Sequence, residues 1–500
     1  MKKIKYLSVS LFLTVSVLFT GCDAEYLETV PTSSISDVTA YSSLDNIQLI
    51  LNGIYRKMVS QDGSSQGHGG EPGYIVSRET LGDDLTWQVN TWHKTTHQWI
   101  AHRSDNNVAT TLPWRYYYGW IMHANFIINN IDEVEDLDPA LHHGIKGEAY
   151  AIRGYIHFLL VQMYAKRYEG GGANSHEGIP YRLQADLEPQ PRNTVAEVYQ
   201  NIHSDLDQAI SLLNGYTPAD VQTHITQAVA YGLKARVALA QQDYATAASA
   251  AKSARDVATK GGYKLMEGDE LYCGFADITT DTKEAMWAAR TKSDQTVYFY
   301  HFMAYMSWND NTTAIRQGVK AISLDTYDLM SETDLRRKWW DPTGSRDDLV
   351  GDNFASYVTY PGQVRKFRAR SQADHVSDYA YMRIAELYLI EAEALARLGR
   401  DAEAQEVLTA FATTRDPEYA PSNTGEALVE EIMTHRRIEL WGEGFRWFDL
   451  KRLNLPLSRH GSNWDISFCA VLEVPAGDVR WQWSIPRAEL DNNPNIKQND

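Results

Sequence analysis

With 500 residues and a formal net charge of −18, the chain exceeds the usual size of one small core and is too acidic to grip nucleic acid through clustered Lys and Arg. The same charge argues against an anionic glycan as an obvious ligand, while 14 Trp and 29 Tyr form a heavy aromatic load. Aromatic rings fill cores, and they also stack on the apolar face of a pyranose whose hydroxyls meet polar neighbours.

Lys2, Lys3 and Lys5 precede an apolar run from Tyr6 to Phe19, which has signal-peptide proportions and is short for a permanent membrane span. Phe19-Thr20-Gly21-Cys22 closes that run and resembles a lipobox, with Phe19 where Leu is more usual. The pattern predicts that residues 1–21 are a signal peptide and that Cys22 becomes an acylated N-terminus. Acyl chains contribute roughly 0.8 kcal/mol per buried methylene, so several of them on one residue anchor a protein durably. No other window is apolar over the length of a membrane span, so the body is expected beside the membrane, held by the lipid.

Leu44–Met58, capped by Ser43, reads as the first helix of the body. Gln61–Gly73 is rich in Gly and Ser and reads as an exposed loop. Its Gly63-Ser64-Ser65-Gln66-Gly67 has the letters of a hydrolase elbow without the flanking strand and helix that the elbow needs. Gly82–Pro113 reads as a polar, irregular stretch, and Trp114–Ile131 as a helix with Trp114, Tyr117, Trp120 and Ile121 at core spacing. Ala149–Tyr164 and Val195–Leu213, the latter capped by Thr194, make a loose helix pair.

Two tighter pairs follow. Ala228, Gly232, Ala235 and Leu239 lead through a turn at Gln242-Asp243 to Ala247, Ala248 and Ala251. Ile384, Leu387, Tyr388, Ala394, Leu395 and Leu398 lead through Gly399 to Ala402, Ala404, Leu408 and Phe411. Small residues at matching points let antiparallel helices approach closely, in a tetratricopeptide-like design that must stack on neighbours to bury its face. Glu426–Trp441 is a further helix, and short strands are expected at Ala285–Ala289, Ala470–Val474 and Trp481–Ile485. The predicted fold class is mainly α: tetratricopeptide-like helix pairs forming a scaffold, with long irregular loops and a few short strands.

A site for a sugar polymer needs an aromatic platform and a few planar polar groups on exposed loops. Two stretches have that composition: Asp83, Asp84, Trp87, Asn90, Trp92, Trp99 and Arg103, then Tyr298, Tyr300, Tyr305, Trp308 and Asn309. The plainer alternative is that these aromatics pack under the loops, and Trp339-Trp340 fits either role. Arg446, Asp449 and Arg452 stand three residues apart on a helix and read as a structural ion network. No H-E-x-x-H or Walker loop occurs, His97 and His102 are poorly spaced for one helix face, and His142-His143 lacks a third ligand. Catalytic residues, a metal and a cofactor are accordingly not expected. Cys273 and Cys469 remain after cleavage and are expected to be free and buried.

Several motifs carry a family resemblance. Asp23-Ala24-Glu25-Tyr26-Leu27-Glu28-Thr29-Val30-Pro31 follows the lipid cysteine, and Gly147-Glu148-Ala149-Tyr150-Ala151-Ile152-Arg153-Gly154-Tyr155 lies on the central helix. Gly178-Ile179-Pro180-Tyr181, Pro191-Arg192-Asn193-Thr194-Val195 and Val198-Tyr199 come next, then Tyr381-Met382-Arg383-Ile384-Ala385-Glu386-Leu387-Tyr388-Leu389. Arg436-Arg437-Ile438-Glu439-Leu440 with Gly444-Phe445-Arg446-Trp447-Phe448-Asp449-Leu450-Lys451-Arg452 is the most specific stretch, and Ile485-Pro486 and Asn493-Pro494-Asn495-Ile496-Lys497-Gln498-Asn499 end the series.

Together these resemble the SusD/RagB-like nutrient-binding outer-membrane lipoproteins of Bacteroidetes over essentially the whole mature chain. The resemblance implies a single folded unit over 22–500, with an N-terminal part over about 22–280 and a C-terminal part over about 281–500. It implies a SusC-like TonB-dependent transporter as partner, an oligosaccharide as ligand, and binding without catalysis. The acidic Asp23, Glu25 and Glu28 resemble the family's surface-export signal, so the lipid-anchored protein is expected to face the cell exterior. Oligopeptide cargo, as in the RagB-like branch, and a surface glycosidase are the competing readings; with 65 acidic residues, carboxylate pairs cannot be judged by inspection.

Overall fold

The hydroxyl of Ser43 accepts the N–H of Asn46, so the first helix, α1 (Leu44–Val59), starts at its expected cap and buries Leu44, Ile47, Leu51, Ile54 and Met58 along one stripe. The computed structural model describes residues 42–500 apart from 61–66, 136–137, 293–301, 348, 350–353 and 374–375. The expected signal peptide, Cys22, most of the Gly63–Gly67 motif, Tyr298 and Tyr300 therefore lie outside the described residues.

The second helix, α2 (Gly70–Glu79), corrects the reading of an exposed loop through Gly73, because every one of its residues is buried. Gly70 is needed there for close approach: it has φ 62°, and a Cβ would collide with the Met58 carbonyl oxygen. Next comes α3 (Val108–Asn130), whose cap is Asn107, accepting from Ala109 N–H. It begins ahead of the expected Trp114, so Pro113 lies inside the helix rather than at its boundary.

The rest of the scaffold is α4 (Pro139–Tyr164), α5 (Val195–Leu212), α6 (Gln227–Gln241), α7 (Tyr244–Lys260), α8 (Ile384–Arg397), α9 (Asp401–Ala412) and α10 (Gly425–Glu439). Thr194 closes a capping box with Glu197 at the start of α5. The two expected tight turns are present: Gln242 adopts φ 63° between α6 and α7, and Gly399 φ 73° between α8 and α9. Each helix from α3 to α9 packs on the next, and α10 closes on α8 and α9. The contact of α7 with α8 joins segments from the two halves of the sequence into one stack. Ala247, Ala251, Ala254 and Ala258 keep α7 thin, and a Cβ on Gly232 in α6 would meet Met382 Sδ at 2.5 Å.

Strands are few. β2 (Ala285–Ala289), at its expected bounds, pairs antiparallel with β6 (Tyr379–Arg383), which runs directly into α8. β1 (Leu85–Thr86), β3 (Ala321–Ile322), β4 (Trp340–Asp341) and β5 (Gln363–Val364) form a sheet of order β1-β3-β5-β4. β7 (Leu457–Ser458) pairs with β8 (Glu473–Val474). Trp481–Ile485 is not a strand: Val479–Trp481 forms a 3-10 turn, and the N–H groups of Trp483 and Ser484 donate to the Met163 and His102 carbonyls.

A buried ion network ties the strand region to the stack. Arg383, at the end of β6, pairs with Glu284, Glu439 and Glu443; Arg415 pairs with Glu284 and Glu439; Arg336 pairs with Asp334 and Glu439; Lys366 pairs with Glu443. Burial alone would raise the Glu439 carboxyl, but Arg415 and Arg383 overturn that and hold it well below the usual carboxylate range. Four cations face four carboxylates, so removing one leaves an uncompensated buried charge. Glu439→Ala should lower the unfolding free energy by about 3–5 kcal/mol in urea titrations, whereas Thr194→Ala should cost only about 1 kcal/mol.

Candidate functional site

The Gly82–Pro113 stretch is held from below by residues far along the chain. Asp83 pairs with Arg446 at 2.6 Å, and Asp84 with Arg437 at 2.6 Å and Arg446 at 3.1 Å. Burial would raise the Asp84 carboxyl, and the two guanidinium groups bring it below its ordinary value instead. Both carboxylates are buried, which corrects their expected place on an exposed platform. Arg446 thus turns to Asp83 rather than joining the expected helix network, while Asp449 does pair with Arg452 at 2.8 Å and with Arg436 at 2.7 Å.

Four further expected platform residues are buried. Trp87 is 0% exposed, packed on His97 and Phe468 with Lys320 Nζ 4.0 Å above its ring. Trp99 donates its indole N–H to the Leu81 carbonyl and meets Trp481 edge-on. Asn309 exchanges two hydrogen bonds with the backbone of Ala369. Tyr305 lies under its neighbours, edge-on to both Trp92 and His93. In this conformation these side chains support the loops and present no open face. Arg103 is half-buried, and its guanidinium holds the carbonyls of Val479, Gln482 and Asp500.

Trp92 and Trp308 remain, both half-buried, with Asn90 exposed beside the first. Trp92 rests on the edge of Tyr305 at 6.2 Å, and the backbone of Gly67 closes on its Cδ1 side. Trp308 stands two residues after the one-turn helix Met303–Met306 that carries Tyr305. The N–H of Trp308 donates to Phe367 O, its ring meets Phe354 at 5.6 Å, and Arg365 lies 5.8 Å from it. Phe354 and Arg365 were not legible as neighbours from sequence. The local cue for Arg365 is weak: Gln363 and Arg365 bracket the apolar Val364 of β5, but Lys366 breaks the alternation before Phe367.

Trp114, Tyr117, Trp120 and Ile121 are buried as their spacing required, and Trp339 and Trp340 are core as well. His97 and His102 each bond a backbone carbonyl, and burial pushes His102 down to about 3. Among the described residues no group of three metal-ligating side chains occurs. Cys469 is free and buried, and Cys273 is free but only partly buried. A groove of about 470 Å3 lies elsewhere, between α3, the 180–189 loop and the C-terminal residues 486–493, and none of the expected platform residues lines it.

A stacked helical scaffold with partly exposed aromatics on irregular loops defines a protein of tetratricopeptide-like build. The SusD family model matches residues 238–500, and a second model, described as starch-binding and associating with the outer membrane, matches residues 25–239. The chain belongs to the SusD family, whose members are binding proteins rather than enzymes and are associated with the outer membrane. It is 22% identical to SusD-like protein P38 of Formosa agariphila, over 100% of this chain and 99% of that one. Its fold is similar to a SusD-like carbohydrate binding protein from Bacteroides vulgatus, with TM-score 0.78 and 22% identity over 91% of this chain and 98% of that one. A laminarin binding SusD-like protein gives TM-score 0.70 at 18% identity over 92% of this chain and 99% of that one.

Lys320, beneath the loops, is fully buried, and its Nζ donates to the Gly318 carbonyl. Burial pushes its ammonium down to about 7 from 10.5. A lowered lysine costs stability progressively as pH falls from about 10.5 towards 7, because over that range the unfolded chain takes up a proton that the buried amine of the folded state does not. Lys320→Met should therefore be roughly 1–3 kcal/mol more stable than the wild type at pH 7, with the gap closing towards pH 10 in urea titrations at both values.

Proposed function

We propose that the protein is a lipid-anchored surface receptor that captures an oligosaccharide and hands it to a SusC-like TonB-dependent transporter for import. The observation that carries the sugar reading is the pair of partly exposed indoles, Trp92, which rests on Tyr305, and Trp308, which follows the short helix that carries that tyrosine. Pyranose rings stack on such faces, while the exposed Asn90 amide offers a planar polar group for hydroxyls. The carbohydrate-binding and laminarin-binding members of the same fold are consistent with this choice. Tyr298 and Tyr300 stay in the proposal as sequence neighbours of the site. Trp87, Trp99, Asp83 and Asp84 enter it as supports for the loops.

Anchoring through Cys22 accounts for how such a receptor stays at the membrane: among the described residues no helix is long and apolar enough to cross one. The acidic residues after Cys22 place the receptor on the outer face in this reading.

Calorimetry against plant, host and microbial oligosaccharides, with a peptide mixture alongside, tests the cargo. A glycan should bind, and Trp92→Ala and Trp308→Ala should each weaken it by about tenfold or more. Binding of peptides alone, or release of reducing ends from a bound glycan, would refute the reading. In cells, Cys22→Ala should move the protein out of the membrane fraction and abolish labelling by a fatty acid.

A further inference from the structure

Where α2, α4, α6, β6, α10 and the helix α11 (Arg446–Arg452) meet, the packing encloses a cavity of about 60 Å3. Four guanidinium groups belong to its wall, those of Arg78, Arg236, Arg436 and Arg452, against two carboxylates, Glu443 and Asp449. Both carboxylates are already engaged. Asp449 accepts from Arg436 Nε at 2.7 Å through one oxygen and from Arg452 Nε at 2.8 Å through the other. Glu443 is taken by Lys366 and by Arg383.

Following the ion pairs outward shows how the guanidinium groups of the wall are shared. Arg78 and Arg236 are each matched, by Glu71 and Glu386. Arg436 and Arg452 share Asp449, and Arg452 also takes Glu393, whose other partner, Arg397, is 23% exposed and stands outside the wall. Each carboxylate of the wall already has two cationic partners, while its guanidinium groups keep donors to spare.

The hydrogen-bond inventory points to the same place by a separate route. Arg436 Nη1, Arg78 Nε and the Tyr381 hydroxyl are buried and have no hydrogen-bond partner among the described residues, and all three residues belong to the cavity wall. The Arg436 and Arg78 side chains are 4% and 3% exposed, so bulk water does not serve them. Aromatic faces hold the guanidinium planes: Phe445 lies 5.1 Å from Arg236 and 5.3 Å from Arg436, and Phe448 lies 5.4 Å from Arg78. A guanidinium stacked by its face can donate only from its edges.

We propose that this cavity binds a small monovalent inorganic anion of the size of chloride, held by Arg436 Nη1, Arg78 Nε and the Tyr381 hydroxyl. A water molecule occupies roughly 10–15 Å3 by the same measure, so 60 Å3 admits a monatomic anion with a companion water. Organic ligand pockets start near roughly 300 Å3, which excludes a sugar. The unmet groups of the wall are two guanidinium N–H donors and a hydroxyl, so an anion, which only accepts, matches them better than water, which must also donate. The bound ion would tie α2, α10 and β6 together at the point where the two halves of the chain meet.

The test uses the wild-type protein first. Crystals soaked in bromide and measured at the bromine edge should show an anomalous peak in the cavity within about 3.5 Å of Arg436 Nη1. Thermal unfolding at fixed ionic strength should give a Tm about 1–2 °C higher in chloride or bromide than in gluconate, an anion too large to enter. That difference should shrink in Tyr381→Phe and in Arg436→Lys. Density in the cavity without anomalous signal would identify water and overturn the proposal, as would a wild-type Tm equal in halide and gluconate.

Discussion

Arg383 stands where the pairing of β2 with β6 ends and α8 begins, and its guanidinium meets three carboxylates that arrive from two other places in the chain. Charges this deeply buried are stable only when every one is matched, so the whole network has to assemble together. Arg415 and Glu284, 131 positions apart, must be brought within hydrogen-bond reach before either is satisfied. The constraint extends outward. Lys366 donates to the carbonyls of Glu439 and Trp441 and so pins the turn after α10, whose Gly442 and Gly444 N–H groups in turn donate to Glu79 of α2. Phe367, the residue after Lys366, receives the backbone hydrogen bond from Trp308. The partly exposed indole therefore stands one residue away from the ionic centre of the molecule.

The loops around the two tryptophans owe their shape to that interior rather than to their own sequence. Asp83 and Asp84 are gripped by Arg446 and Arg437, Arg459 gathers the carbonyls of Gly82, His97, Thr80 and Val471, and the buried indole of Trp87 fills the space between. A receptor for a flexible, hydroxyl-rich chain gains from such rigidity, because aromatic faces already held in place lose little freedom when the ligand stacks on them. The scaffold of helix pairs supplies stiffness, and a handful of side chains on the loops supply the chemistry.

Helices were legible from sequence where local chemistry decides them. Ser43, Thr194 and Gly399 act as the caps and stops that their residue types dictate, and the small residues of α6 and α7 pack as their spacing requires. Burial of the loop aromatics was not legible. Asp84 meets a partner 353 positions away, and Trp87 is covered by Phe468 from the far C-terminal region. No local pattern in a polar, tryptophan-bearing stretch separates a ring that faces solvent from one capped by a distant segment. The Gly-rich segment before Tyr74 misled for a related reason: Gly70 is present because α2 passes directly against the end of α1, not because the chain is exposed there.

The junction of α7 with α8 also sets an order of assembly. α3 to α7 are neighbours in sequence and in space, so their pairing closes short loops and can proceed as the chain emerges. α8 must reach α7 across residues 261–383, a long excursion that includes β2, β3, β4 and β5. Until that closure the alanine-lined face of α7 is an open apolar surface. The interval between folding of the first half and docking of the second is when self-association competes most strongly with folding.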